Sequence, residues 1–119
     1  MDAEILKKIS EKVYLSLGRF YEKSIYINAL KNEFENNDIK VEMNKSFSVL
    51  YDNKKVGEFF FDFYIDNIPI EVVIGNIDKK NIELFKNRIY NNNIEYGFII
   101  VLLTSQDNNQ YVTVLKIKP

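Results

Sequence analysis

Asp62 and Glu71 are the residues whose type and spacing can do chemistry in this chain. They lie in residues 56–65 and 68–74, two stretches rich in aromatic and β-branched residues and joined by Asp66-Asn67, the local pattern of a β-hairpin. With Asp66-Asn67 as a two-residue turn, Ile65 pairs with Ile68, and counting outward sets Asp62 opposite Glu71. Alternation then puts Glu58, Phe60, Asp62 and Tyr64 on one face with Glu71 and Val73. Phe59, Phe61, Phe63 and Ile65 share the other face with Ile70, Val72 and Ile74, and this fully apolar face must be core. Directly opposed carboxylates stand about 4.5–5.5 Å apart. Like charges that close repel, so one of them takes a proton, water separates them, or a cation sits between them. A pair of hard oxygen ligands is the first half of a magnesium site; the plain alternative is two solvated acids on an exposed sheet face.

Composition narrows what else can act. The chain has no cysteine and no histidine, which excludes thiolate and histidine relays, the usual structural zinc sites and disulfide staples. Carboxylates, lysines, tyrosines and hydroxyls remain for catalysis. The 119 residues suit one domain, 1–119, and a hydrophobic share of 46% supports a core. No apolar run reaches the roughly 18 residues of a membrane helix and no charged-then-apolar leader opens the chain, so the expectation is a soluble intracellular, cytoplasmic protein without a membrane partner. A net charge of -1 is not the footprint of a protein that coats nucleic acid, although a locally basic face is compatible with it.

The elements that must position the two acids follow from periodicity. Asp2 can cap a helix starting near Ala3, with Ile5, Ile9 and Val13 on one face and Gly18 at its end. A second helical pattern runs from Arg19 to about Glu35, with Tyr26, Leu30 and Phe34 in one row. Glu22 then falls on or near its buried edge, either as a site residue or in a salt bridge with Lys23 or Arg19. Residues 39–44 and 47–51 read as short strands, and residues 52–55 as a turn into the central hairpin. Gly75-Asn76 breaks the sheet, and Asp78 or Asn76 can cap a third helix that carries Ile82, Phe85 and Ile89. Residues 96–103 form a continuous apolar run, expected as a strand buried on both faces. Residues 106–110 read as a polar turn and residues 111–117 as a final strand. The order implies an α/β (α+β) domain with a mixed sheet.

These segments together resemble the small proteins named for a GxxExxY signature, a branch of the PD-(D/E)XK nuclease superfamily. Val13, Leu17-Gly18, Tyr26 and Ala29-Leu30 sit as in that family's first block, Val56-Gly57-Glu58 with Asp62 and Glu71 as in its central block, and residues 96–100 as in its late buried strand. The resemblance implies a nuclease-like fold with N-terminal helices on one side of a mixed sheet and a helix before the last strands. It further implies that Asp62 and Glu71 are the ligands of a divalent metal, Mg or Mn, in active members, where a lysine two residues after the glutamate orients or activates the attacking water. Here that lysine position is Val73. Ungapped alignment also puts Phe20 at a signature glycine, Lys23 at the signature glutamate with Glu22 one residue away, and Leu84 at a glutamine of the third helix.

Three readings follow. In the first, the chain is a metal-dependent DNA phosphodiesterase with Asp62 and Glu71 as ligands, Glu22 as a third and a migrated lysine such as Lys23, Lys79 or Lys80. In the second, Lys23 forms a salt bridge with Asp62 and Glu71, and the chain is a non-catalytic module that binds nucleic acid, DNA above all, or a protein partner; Lys54, Lys55, Lys79, Lys80, Lys86, Lys116, Lys118 and Arg88 then gather into one basic face. In the third it is an assembly subunit, a homodimer through a sheet edge or an aromatic face. The missing strand lysine favours the second.

Overall fold

A computed structural model describes residues 1–103 and 111–119. Among the described residues the order is helix α1 (Ala3–Leu17), helix α2 (Lys23–Asn36), strands β1 (Ser46–Tyr51), β2 (Lys54–Phe60), β3 (Phe63–Ile65) and β4 (Ile68–Ile74), helix α3 (Lys79–Asn91), and strands β5 (Gly97–Leu102) and β6 (Val112–Ile117). The strands form a two-stranded sheet, β1-β2, and a four-stranded mixed sheet, β3-β4-β5-β6. In the larger sheet β3 and β6 run antiparallel to their neighbours, while β4 and β5 are parallel and α3 makes the crossover between them. The polar turn expected at 106–110 lies outside the described residues.

Both faces of the larger sheet are covered. Leu6, Ile9 and Val13 of α1 and Tyr26, Leu30 and Phe34 of α2 pack with Phe63, Ile65, Ile70, Val72, Phe98, Ile100 and Leu102. On the opposite face Phe85 and Ile89 of α3 pack with Phe59, Phe61, Ile99, Val101 and Ile117. All six residues of β5 are buried, alternating between the two clusters, as its unbroken apolar run requires. Gly97 at its start permits the approach of α3: a Cβ there would stand 2.6 Å from Phe85 Cζ and 2.8 Å from the Pro69 carbonyl oxygen.

Local signals set most boundaries. Asp2 accepts a hydrogen bond from the Ile5 amide, and Gly18, at φ 80°, ends α1. Asp78 and Asn81 form a reciprocal capping box at the start of α3. The turns Asp52-Asn53 and Asp66-Asn67 have φ between 49° and 64° at all four residues, the left-handed pairs that two-residue hairpins demand. The second of these turns sets Ile65 against Ile68 and Phe63 against Ile70, the expected register.

Four expectations are corrected. Residues 56–65 are not one strand: the chain leaves one sheet after Phe60 and enters the other at Phe63. Phe59 and Phe61 pack under α3, whereas Phe63 and Ile65 pack under α1 and α2. Residues of one parity cannot reach opposite faces of a continuous strand, so the backbone breaks at Phe61-Asp62. Residues 39–44 make only an isolated bridge, Glu42 to Tyr64, with both backbone hydrogen bonds at 2.9 Å. Helix α2 starts at Lys23 instead of Arg19, because Gly18 and Phe20 both have positive φ. The apolar face of α1 centres on Leu6, Ile9 and Val13, while Ile5 is exposed.

Candidate active site

The strand break is what delivers Asp62. Its carboxylate accepts a hydrogen bond from the Val72 amide at 2.8 Å, taking the place of a backbone carbonyl that an unbroken neighbouring strand would have offered. Glu71 precedes Val72 in β4 and points to the α3 face, since its neighbours Ile70 and Val72 point to the other. The ammonium of Lys23, at the first turn of α2, lies 2.9 Å from Asp62 Oδ2 and 3.8 Å from Glu71 Oε1. From α3, an Arg88 guanidinium nitrogen approaches Glu71 Oε2 to 4.0 Å while the guanidinium stacks over Phe59, 4.6 Å from the ring centre.

Lys23, Glu71 and Arg88 border an open cleft of about 520 Å³, which Tyr21, Val73 and Leu84 also line. Glu71 Oε2 is buried and has no hydrogen-bond partner among the described residues. Burial first, then the hydrogen bond and the charge of Asp62, push Glu71 up to about 8, against the opposing pull of Lys23 and Arg88. Burial and the neighbouring Asp62 thus favour the protonated form of Glu71. A neutral acid is the state that an unpartnered, buried oxygen tolerates best.

Of the residues expected at the site, Asp62, Glu71 and Lys23 converge. Glu22 does not join them: it is the exposed N-cap residue of α2, makes no side-chain capping bond, and forms no hydrogen bond or ion pair with Asp62 or Glu71. It lies outside the first turn of α2, so it is not on that helix's buried edge. Lys79 and Lys80 are exposed at the start of α3, with Lys79 beside Glu83 at 3.8 Å. Val73 lines the cleft where the strand lysine was expected, and Leu84 lines it where a glutamine was. The basic face is diluted, because Lys55 pairs with Glu58 and Lys79 with Glu83.

Sequence reasoning missed Arg88 and Tyr21 as parts of the cleft. The spacing held the signal for Arg88, which follows Phe85 by three residues and Leu84 by four and so shares their side of α3.

Asp62 and Glu71 offer the two carboxylates from which a magnesium site is built, with water and phosphate oxygens supplying the rest. Lys23 brings a positive charge to both carboxyls, in competition with any ion there. No helix among the described residues is long and apolar enough to cross a membrane.

Residues 2–100 match the sequence profile of the PD-(D/E)XK nuclease superfamily. No curated protein and no solved structure matches the chain.

Proposed function

The chain belongs to the PD-(D/E)XK nuclease superfamily, and from that premise we propose that it is a non-catalytic member that binds nucleic acid through the cleft between α2 and α3. The observation that carries this reading is the Lys23 ammonium, 2.9 Å from one carboxyl and 3.8 Å from the other, where a nuclease would bind its metal. A lysine in that position neutralises the acids without an ion, and Val73 leaves the strand with no group to orient a water. Binding asks less than cleavage: positive groups at a cleft and a surface for the bases or sugars. Lys23 and Arg88 supply the first from two different helices.

We further place the chain in the GxxExxY branch. Phe20 stands at the signature glycine, and its φ of 77° is a value that glycine adopts freely. Lys23 stands at the signature glutamate and reaches the two acids, so the position belongs to the site even though its charge is reversed.

The test is incubation of the folded protein with duplex, single-stranded and branched DNA in magnesium and in manganese, beside an Asp62→Asn control, with binding followed by gel shift. The expected result is a salt-sensitive shift with no cleavage by either protein. Metal-dependent cleavage that Asp62→Asn abolishes would overturn this reading in favour of an enzyme that uses Lys23 as its lysine. Absence of any shift, together with a concentration-dependent assembly, would move the chain to the subunit reading.

A further inference from the structure

The turn between α1 and α2 has the sequence Gly18-Arg19-Phe20-Tyr21-Glu22. Both ends are fixed by one buried side chain: the Tyr26 hydroxyl donates to the Gly18 carbonyl at 2.6 Å and accepts from the Tyr21 amide at 3.3 Å. Between these anchors Phe20 is held at φ 77°, a strained conformation for a bulky side chain. Its ring is 80% exposed, and the Arg19 guanidinium stands 5.3 Å from the ring centre. The next residue, Tyr21, is 48% exposed and lines the wall of the cleft with Lys23.

The turn thus bears two costs, a strained backbone held by the Tyr26 hydrogen bonds and a large ring in water beside the Arg19 guanidinium. A glycine at position 20 would make the same turn with neither. Both costs are recovered if the ring's face is covered on binding. The charge of the surroundings selects the occupant: Lys23 and Arg88 face the cleft, paired there with Asp62 and Glu71, Arg19 stands beside the ring, and Glu22 is the only acid of the turn. Flat aromatic surfaces next to cationic side chains are how proteins hold unpaired bases, each base stacking on a ring while its phosphate meets a positive charge.

We propose that Phe20, supported by Arg19 and Tyr21, is a stacking platform for an unpaired base, and that the cleft therefore takes single-stranded nucleic acid in preference to duplex. This rests on the nucleic-acid reading above and narrows it to one substrate class.

The experiment uses the full chain and two probes, an oligothymidylate and a mixed-sequence duplex of equal length. Wild type is expected to bind the oligothymidylate more tightly than the duplex. Phe20→Gly relieves the strained turn, so it should fold with a melting temperature at or above that of wild type, yet lose about ten-fold in affinity for oligothymidylate. The chain has no tryptophan, so Phe20→Trp installs a single reporter, whose emission should be quenched on adding oligothymidylate while affinity is retained. Wild-type binding that Phe20→Gly leaves unchanged overturns the platform and leaves the nucleic-acid reading standing. Silence of wild type toward both probes, with unquenched emission in Phe20→Trp, overturns both. Self-association that Phe20→Gly abolishes would assign the patch to a second copy of the chain and overturn the proposal.

Discussion

Glu71 gives the folded protein a pH signature. Its folded-state pKa of about 8 lies above the ordinary value of 4.5, so between those values the folded chain holds a proton that the unfolded chain has released. Its contribution to stability is full below the lower value and is lost as pH rises through the upper one. Glu71→Gln removes that dependence: by urea unfolding the variant should exceed wild type by about 2–4 kcal/mol above pH 8 and match it within about 1 kcal/mol in mild acid. Lys23 and Val73 allow a test in the other direction. Lys23→Glu combined with Val73→Lys removes the ammonium from the acids and places one on the strand. Manganese should then raise the melting temperature of the double variant and leave wild type unchanged; equal shifts in both would show that Lys23 does not exclude the metal. The convergence of Lys23 with Asp62 and Glu71 was legible from two sources: a turn and a register bring the acids together, and the family resemblance sets Lys23 at a signature position facing them. That one of the acids takes a proton was among the readings their spacing allowed, but the choice of Glu71 was not legible, since it depends on burial in the fold.

At the scale of elements, the turn Asp66-Asn67 fixed the pairing of β3 with β4 from local chemistry alone, and the apolar run of β5 announced its burial on both faces. The break between β2 and β3 was hidden, because alternation continues in the sequence while the chain changes sheet. Only the positions of α3 and of the α1–α2 pair reveal that Phe61 and Phe63 face opposite ways. The break gives Asp62 a structural task that can be measured. Asp62→Asn keeps an acceptor for the Val72 amide and should fold nearly as wild type, whereas Asp62→Ala leaves that amide unpaired and should cost about 1–3 kcal/mol in denaturant unfolding. Gly97 is more constrained still. Gly97→Ala brings a methyl against backbone at Pro69 as well as the Phe85 ring, and should cost about 2–3 kcal/mol, with the loss of stability rather than of binding as its readout.

For the whole molecule, a net charge of -1 requires that attraction to a polyanion be local. If Arg19, Lys23 and Arg88 make the phosphate contacts, three phosphates are engaged, and the logarithm of the association constant for single strands should fall with the logarithm of salt at a slope of about −2. A much steeper slope would implicate further lysines of α3 and of the β1-β2 hairpin. The sequence could not decide this, because the placement of lysines around the fold depends on how the hairpin and α3 pack.

The hydrogen bond from Val72 to Asp62 separates two kinds of inheritance. A strand lysine can be exchanged for valine and the fold gains a side chain that packs with α3, as Val73 does. Position 62 has less freedom, because a side chain without an acceptor there would leave the Val72 amide unpaired at the edge of the sheet. Chemistry and architecture would therefore erode at different rates in a lineage built on this plan, and the acid at position 62 testifies first to the strand it holds.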